Sequence, residues 1–266
     1  MDYPGRIIKA GETNVSIVKA LKERLNLVLV IGDNPELRLD PTNLTFGPKM
    51  KQVIKLFQAR NVDNKGHPLK QDGEIGSLTW EALFGADSVT VSGLPGDQLL
   101  ARVLEIAAGE EVKQVREVPR NSNRGPQVDA YLTRAGVSPG LSWCCAFVYW
   151  CFDEAAKAMG VPNPMVKTAG CLDHWNKAPR QGAKRVLAAQ AVRNPQMVHS
   201  GMIFIMDHGG GLGHTGLIER VEGGLITTLE GNTDASRTRE GGGVYRLTRK
   251  LVEINKGFIA YSPSES

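Results

Sequence analysis

The sequence lacks the features that mark exported and membrane-spanning proteins. No apolar run approaches the roughly 18 residues that a membrane-spanning helix needs. The first five residues are not followed by the basic and then apolar segments of a signal peptide. We therefore expect no membrane span, and synthesis in a cytoplasm without a signal peptide.

The sequence also has little charge of either sign in excess. Its formal net charge is +4, and no cluster of Lys and Arg is long enough to follow a phosphate backbone. Proteins that bind nucleic acid usually present a concentrated basic face. We therefore expect no nucleic-acid partner.

Cysteine is scarce and unevenly placed. The four cysteines lie at positions 144, 145, 151 and 171, all in the C-terminal part of the chain. In a chain without export signals this pattern argues against a disulfide framework. Buried thiols, a metal site or a nucleophile remain as the interpretations. The spacing of Cys171, Asp173 and His174 matches no zinc pattern, and no calcium-binding loop of the EF-hand type is present.

The composition is that of a globular protein, and helical periodicity dominates its N-terminal part. Hydrophobic residues make up 41% of the 266 residues. Apolar spacing predicts helices over residues 15–27, from Pro48 onward, and over residues 77–84 with Ser77 as the capping residue. Residues 87–96 are small and aperiodic, which indicates a linker. We therefore predict a helical domain over residues 1–86 and a second domain over residues 97–266.

The second domain mixes helices and strands. A long apolar helix is predicted from about Ser142 to Met159, ended by Gly160. Strand patterns follow at residues 202–206, 215–221, 225–229, 244–247 and 258–261. Helices followed by an antiparallel meander are typical of an α+β fold.

Cys144 is the strongest candidate for chemistry. A thiol in the first turn of a helix lies near unpaired backbone N–H groups and the positive end of the helix dipole, which favour the nucleophilic thiolate. Cys151, two turns further along, gains nothing from this effect. The alternative is that all of these cysteines are core residues, as most buried cysteines are.

A histidine that could serve as the base lies on the later strands. His214 begins one predicted strand, and Glu230 and Asn232 end the next. A cysteine nucleophile needs a base, and an acid or amide can orient that base. Since side chains alternate along a strand, His214 and Glu230 share a face only if the hairpin loop is the three residues 222–224, or if a bulge restores parity.

Three motifs together resemble the CHAP domain (cysteine, histidine-dependent amidohydrolase/peptidase). They are Trp-Cys-x-x-Phe-Val from position 143, Gly-His-x-Gly from position 213 and Glu-Gly-Asn from position 230. The resemblance covers about residues 97–262 and implies a papain-like fold. It implies Cys144 as nucleophile and His214 as base, with Glu230 and Asn232 orienting the base or polarising the site. The sequence departs from the family at Cys145, where alanine is common, and at Met202, where aspartate is usual.

The N-terminal part resembles the helical peptidoglycan-binding domain of wall hydrolases. The resemblance rests on residues 46–48, 53, 57–58 and above all 72–83. It implies a three-helix bundle that binds the bacterial wall. Trp80 and Phe57 are expected in its core rather than in contact with a ligand.

These resemblances imply a modular peptidoglycan hydrolase that acts on the bacterial cell wall. The architecture suggests a phage endolysin, made in the host cytoplasm, monomeric and requiring no cofactor, although some relatives bind calcium. A bacterial autolysin or an antibacterial effector would share the same chemistry. A Cys–His–His peptidase would need a second histidine after His214, which the chain lacks. A non-catalytic wall-binding protein is the remaining alternative.

Overall fold

The computed structural model describes residues 1–29, 34–89, 91–92, 95–236 and 242–261. They form two compact units. The first comprises Met1–Val91 together with Glu222–Gly224, and the second comprises the remainder of the described chain from Ser92 onward.

The first unit contains three α-helices around one core. They are α1 (Val15–Val28), α2 (Pro48–Arg60) and α3 (Ser77–Phe84). Asn14 caps α1, since its side-chain oxygen accepts hydrogen bonds from the backbone N–H groups of Ser16 and Ile17. Short 3-10 helices occupy Pro35–Leu37 and Ala86–Ser88.

The structure bears on three expectations for this part of the chain. Ser77 does not cap α3: it is the first helical residue, Gly76 holds the cap position, and the Ser77 hydroxyl is buried without a partner among the described residues. Trp80 and Phe57 lie in the core, as expected. The predicted linker 87–96 contains the end of a 3-10 helix and the two-residue strand β1 (Val91–Ser92), while its residues 90, 93 and 94 lie outside the described residues.

The second unit supplies the remaining helices and an antiparallel sheet, so the α+β class is confirmed. Its helices are α4 (Gln98–Val112), α5 (Pro126–Arg134), α6 (Cys144–Met159), α7 (Cys171–Lys177) and α8 (Ala188–Arg193), with 3-10 helices at Ala178–Gln181, Pro195–Met197 and Leu251–Glu253. Its strands are β2 (Lys184–Leu187), β3 (Ile203–Gly209), β4 (Leu212–Glu222), β5 (Leu225–Thr233), β6 (Gly243–Lys250) and β7 (Gly257–Ala260).

The six strands lie in the order β2-β7-β3-β4-β5-β6. Alternate residues face opposite sides, and both sides are covered. On one side Ile205, Leu217 and Leu229 pack in the core that contains α4, α5 and α6. On the other side Phe204 and Ile226 belong to a smaller core that includes residues of α8 and of the segment after β6.

Helix α6 is the buried helix predicted from the sequence. It begins at Cys144, two residues later than expected, and Trp143 holds the cap position. It ends at Gly160, whose left-handed backbone (φ 68°) is the conformation that glycine adopts without strain. The Cys144 thiol therefore lies in the first turn of a helix enclosed by the main core.

Candidate active site

Cys144 lies at the head of α6, where backbone N–H groups have no partner within the helix. Its side chain is only 2% exposed. The sulfur of Cys171 lies 3.4 Å from its sulfur, and the ring of His214 lowers the pKa of the thiol. The preceding residue is anchored as well, because the Trp143 indole N–H donates to Glu117 Oε1 at 2.9 Å.

The structure holds His214 through one ring nitrogen and leaves the other for the thiol. His214 Nε2 lies 2.7 Å from Glu230 Oε2. Nδ1 is buried and makes no hydrogen bond within the described residues. Because Nε2 is engaged by Glu230, Nδ1 is the nitrogen available to the sulfur of Cys144.

Glu230 is fully buried, and three side chains share its carboxylate. Arg249 donates from Nε to Oε1 and from Nη2 to Oε2, both at 2.7 Å. The Thr228 hydroxyl donates to Oε1 at 2.5 Å, and His214 contacts Oε2. A buried charge is tolerated when it is paired and hydrogen-bonded, and both oxygens of this carboxylate meet that condition.

These contacts set the ionisation of the pair. Burial alone raises the pKa of Glu230, but hydrogen bonds from Arg249 and His214 lower it to about 2. Burial likewise lowers the pKa of His214, but Cys144 and Glu230 raise it to about 9. Glu230 is therefore ionised at neutral pH, and the His214 ring is a strong proton acceptor beside the thiol.

The thiol itself is less acidic than the helix position alone suggests. The neighbouring Cys171 and burial hold the pKa of Cys144 well above its usual range, and the ring of His214 opposes them. The first turn of the helix favours the thiolate, Cys171 and burial oppose it, and the ring of His214 is a second group that favours it.

Two glycines let the strands approach these side chains closely. A Cβ built on Gly216 would lie 2.7 Å from Glu230 Cγ, so a side chain there would displace the carboxylate. A Cβ on Gly231 would lie 2.7 Å from both Phe147 Cβ and Trp143 Cζ3. Strand β5 therefore packs directly against the head of α6, which places the end of the strand carrying Glu230 beside the start of the helix carrying Cys144.

The hairpin that joins β4 and β5 differs from the preferred prediction. Strand β4 ends at Glu222 and β5 begins at Leu225, so the loop is Gly223-Gly224 rather than three residues. Both glycines have positive φ, as tight two-residue hairpins require. If β4 and β5 paired without interruption from this loop, His214 and Glu230 would lie on opposite faces of the sheet. The two side chains are hydrogen-bonded, so the alternation of faces is shifted by one residue between the loop and the site. This is the second of the two arrangements that the sequence predicts.

Asn232 is placed near the site but is not joined to the base. It is 1% exposed, its backbone is left-handed (φ 57°), and neither side-chain amide atom has a hydrogen-bond partner among the described residues. The structure thus brings together Cys144, His214 and Glu230, with Asn232 two residues beyond Glu230 and its amide unpaired.

Sequence reasoning missed three residues of this cluster. Thr228 could have been found, because it lies two residues before Glu230 and therefore on the same face of β5. Arg249 is brought in by the pairing of β5 with β6, where it lies opposite Ile226. Cys171 begins α7, a helix without a clear sequence signal, and only the tertiary fold brings it to Cys144.

The described ranges contain no group of three or more His, Cys, Asp or Glu side chains arranged to hold a metal ion. Two acidic residues of α6, Asp153 and Glu154, pair with Arg134 at 2.5 and 2.6 Å. His174 contacts the Tyr261 hydroxyl through Nε2 at 2.8 Å, and burial lowers its pKa to about 4. Within the same part of the chain, no helix has the length and apolar character to cross a membrane.

Comparison with known proteins gives one match. No curated protein and no solved structure matches the chain. The papain-like relationship therefore stays a prediction. Residues 136–232 match the family model of the CHAP domain. This range contains Cys144, His214, Glu230 and Asn232, whereas Arg249 lies beyond it. The CHAP domain predicted from the sequence is thus confirmed over residues 136–232, which indicates a cysteine, histidine-dependent amidohydrolase or peptidase that acts on peptidoglycan.

Proposed function

We propose that the protein is an endolysin-like peptidoglycan hydrolase in which Cys144 attacks an amide bond of the wall. One observation carries this proposal: Glu230 holds the ring of His214 through Nε2 at 2.7 Å, and the other side of that buried ring and the Cys144 thiol at the head of α6 shift each other's pKa. A nucleophile, a base and an orienting acid are the three parts that acyl transfer by a thiol requires.

In the proposed reaction, His214 Nδ1 accepts the thiol proton as the Cys144 sulfur adds to the scissile carbonyl. Backbone N–H groups in the first turn of α6 are available to stabilise the oxyanion. The imidazolium then donates its proton to the leaving amine, and water, deprotonated by His214, releases the acyl group from the sulfur.

The remaining buried groups have positioning roles in this proposal. Glu230 fixes the tautomer and angle of His214. Arg249 and Thr228 hold Glu230 in its ionised form without requiring a proton from His214. The unpaired amide of Asn232 is available to polarise the scissile group or to bind a water molecule.

We further propose that the helical unit, residues 1–86, binds the wall and keeps the enzyme at its insoluble substrate. The sequence motif at residues 72–83 supports this role. Gln58 is buried beside the start of that motif. The side chain of Gln58 accepts from the N–H of Gly73 and donates to Asp72 and to the carbonyl of Glu74. Sedimentation of Cys144→Ala with purified sacculi tests this role, because that variant separates binding from hydrolysis.

Hydrolysis is tested by clearing of purified peptidoglycan with the wild type, Cys144→Ala and the matched control Cys145→Ala. We expect clearing by the wild type and the control and none by Cys144→Ala. Equal clearing by all three would overturn the role of Cys144. No clearing by any of them, with sedimentation retained, would favour a non-catalytic wall-binding protein.

Mass spectrometry of the released fragments identifies the bond. A free lactyl sugar with a new amino terminus on alanine indicates an amidase, and split stem peptides indicate an endopeptidase. A bacterial autolysin or an antibacterial effector would give the same products. Lysis from within after expression together with a pore-forming protein would support the endolysin role specifically.

A further inference from the structure

A second thiol contacts the proposed nucleophile. The sulfur atoms of Cys144 and Cys171 are 3.4 Å apart, and both cysteines are free thiols. They begin two different helices, α6 and α7, which converge at the site. The mechanism proposed above does not use Cys171, and a thiol at this position raises the pKa of the nucleophile.

The two sulfurs lie near bonding distance. A disulfide bond is about 2.05 Å long. The two sulfurs would therefore have to approach each other by only about 1.4 Å. Strand β4 packs closely against Cys171 because residue 213 is a glycine, since a Cβ there would lie 3.1 Å from the Cys171 Cβ.

The other cysteines are less well placed to pair with Cys144. Cys145 is turned about 100° around the helix from Cys144. Its thiol donates to the Thr168 carbonyl at 3.6 Å. Cys151 lies about two turns further along α6 and is completely buried. Cys171 is therefore the partner that the structure presents to an oxidised Cys144.

We propose that Cys171 is a resolving cysteine, which forms a reversible disulfide with Cys144 under peroxide and switches the hydrolase off. The proposal rests on the proposed function only in that Cys144 is the nucleophile. The disulfide would block hydrolysis and would keep Cys144 from irreversible oxidation.

The chemistry is balanced with hydrogen peroxide as the oxidant. The Cys144 thiolate, formed by proton transfer to His214, attacks one peroxide oxygen. The O–O bond breaks, and hydroxide leaves as water after taking a proton from His214. Cys144 is then a sulfenic acid. The Cys171 sulfur attacks the Cys144 sulfur, the S–O bond breaks, and a second water leaves with the Cys171 proton. A dithiol reductant restores both thiols by exchange.

The test treats the full-length wild type, Cys171→Ser and the matched control Cys145→Ser with hydrogen peroxide and then with dithiothreitol. For the wild type and the control we expect a mass loss of two hydrogens, a peptide linking residues 144 and 171, loss of hydrolysis, and recovery with the reductant. For Cys171→Ser we expect a gain of two oxygens on Cys144 and no recovery.

Two results would overturn the proposal. One is direct over-oxidation of Cys144 in the wild type without a 144–171 link, and the other is a link from Cys171 to Cys145. Circular dichroism and a second variant, Cys171→Ala, guard against misfolding. The linked peptide is detected without any assay of hydrolysis, so an inactive untreated protein would overturn the proposed function and leave this test intact.

Discussion

Arg249 supplies the positive charge that keeps Glu230 ionised inside the protein. Its side chain is 6% exposed and makes two parallel hydrogen bonds to the carboxylate. This is the planar, two-pronged geometry that arginine offers and lysine does not. Without that cation Glu230 would compete for the proton that His214 must exchange with Cys144.

Replacing Arg249 with glutamine should therefore damage both stability and activity. Breaking a buried ion pair by removing one partner costs about 3–5 kcal/mol of unfolding free energy. Arg246→Gln on the same strand is the matched control. Arg246 is more exposed and pairs with Glu111 and Glu219 at the surface, so its loss should cost at most about 1 kcal/mol.

Urea unfolding measures the stability of both variants, and the pH dependence of peptidoglycan clearing measures the second effect. In Arg249→Gln the charge of Glu230 is balanced only by a protonated His214, so we expect His214 to keep its proton more strongly. This should shift the pH profile of hydrolysis as well as lower its rate. Equal losses of stability in the two variants, or an unchanged profile in Arg249→Gln, would contradict the positioning role.

The pKa shifts of the same residues predict how stability depends on pH. Glu230 is lowered from its ordinary value near 4.5 to about 2, so its contribution is present above pH 4.5 and is lost as the pH falls through 2. His214 is raised from 6.5 to about 9, so its contribution is present below pH 6.5 and is lost as the pH rises through 9.

Urea midpoints measured across this range should show both losses in the wild type. Glu230→Gln should reduce the loss of stability at acid pH, because it removes the group that titrates there. Cys144→Ala should reduce the alkaline loss, since Cys144 is the larger of the two groups that raise the pKa of His214. If both variants lost stability at acid and alkaline pH as the wild type does, the pairs of His214 with Glu230 and with Cys144 would not form.

Among the elements, the contact between β5 and the head of α6 places Glu230, which holds the base, beside the helix that carries the nucleophile. It exists only because residue 231 has no side chain. We predict that Gly231→Ala separates the strand from the helix and abolishes hydrolysis, with a stability loss of about 1–3 kcal/mol from overpacking.

Gly109→Ala is the control for this substitution. Gly109 lies in α4 with open space around its Cα, so alanine there should stabilise the helix by about 0.5–1 kcal/mol and leave activity unchanged. Clearing assays and thermal unfolding of both variants test the pair. Full activity in Gly231→Ala would show that the site does not depend on this contact.

Elements with strong local signals could be predicted from the sequence. The apolar spacing of α1 and α2 and the glycine that ends α6 identified those helices, and alternation identified most strands of the meander. Helix α7 and the edge strand β2 were missed, because a seven-residue helix and a four-residue strand carry too few residues to show a period.

The site was predictable only where its residues sit in local motifs. Cys144, His214 and Glu230 follow from their spacing on one helix and two consecutive strands. Arg249 and Cys171 could not be derived, because strand order and the docking of α7 bring them in from distant positions. The two-residue hairpin was not the preferred prediction either. A bulge shifts the alternation of strand faces by one residue, and the residue pattern alone does not reveal it.

For the whole molecule, each compact unit has its own buried core. Domains with separate cores can unfold separately. We predict that Leu21→Ala, which empties a fully buried position of α1, destabilises the first unit by about 2–5 kcal/mol and leaves the reactivity of the Cys144 thiol unchanged.

The matched control is Leu27→Ala on the same helix, where the side chain is 73% exposed and the cost should stay within about 0.5 kcal/mol. Differential scanning calorimetry separates the transitions, and alkylation of Cys144 reports on the second unit. A single cooperative transition that Leu21→Ala shifts as a whole would contradict independent units.

The buried cluster also has an electrical consequence for the proposed reaction. Arg249 and Glu230 cancel each other, and a proton that moves from Cys144 to His214 stays inside the pocket, so the net charge of the pocket is the same before and after the transfer. Dissolved salt screens long-range fields and has little effect on a step that leaves this charge unchanged. The chemical step should then be almost indifferent to ionic strength, and any salt sensitivity of lysis would report the encounter with the charged wall.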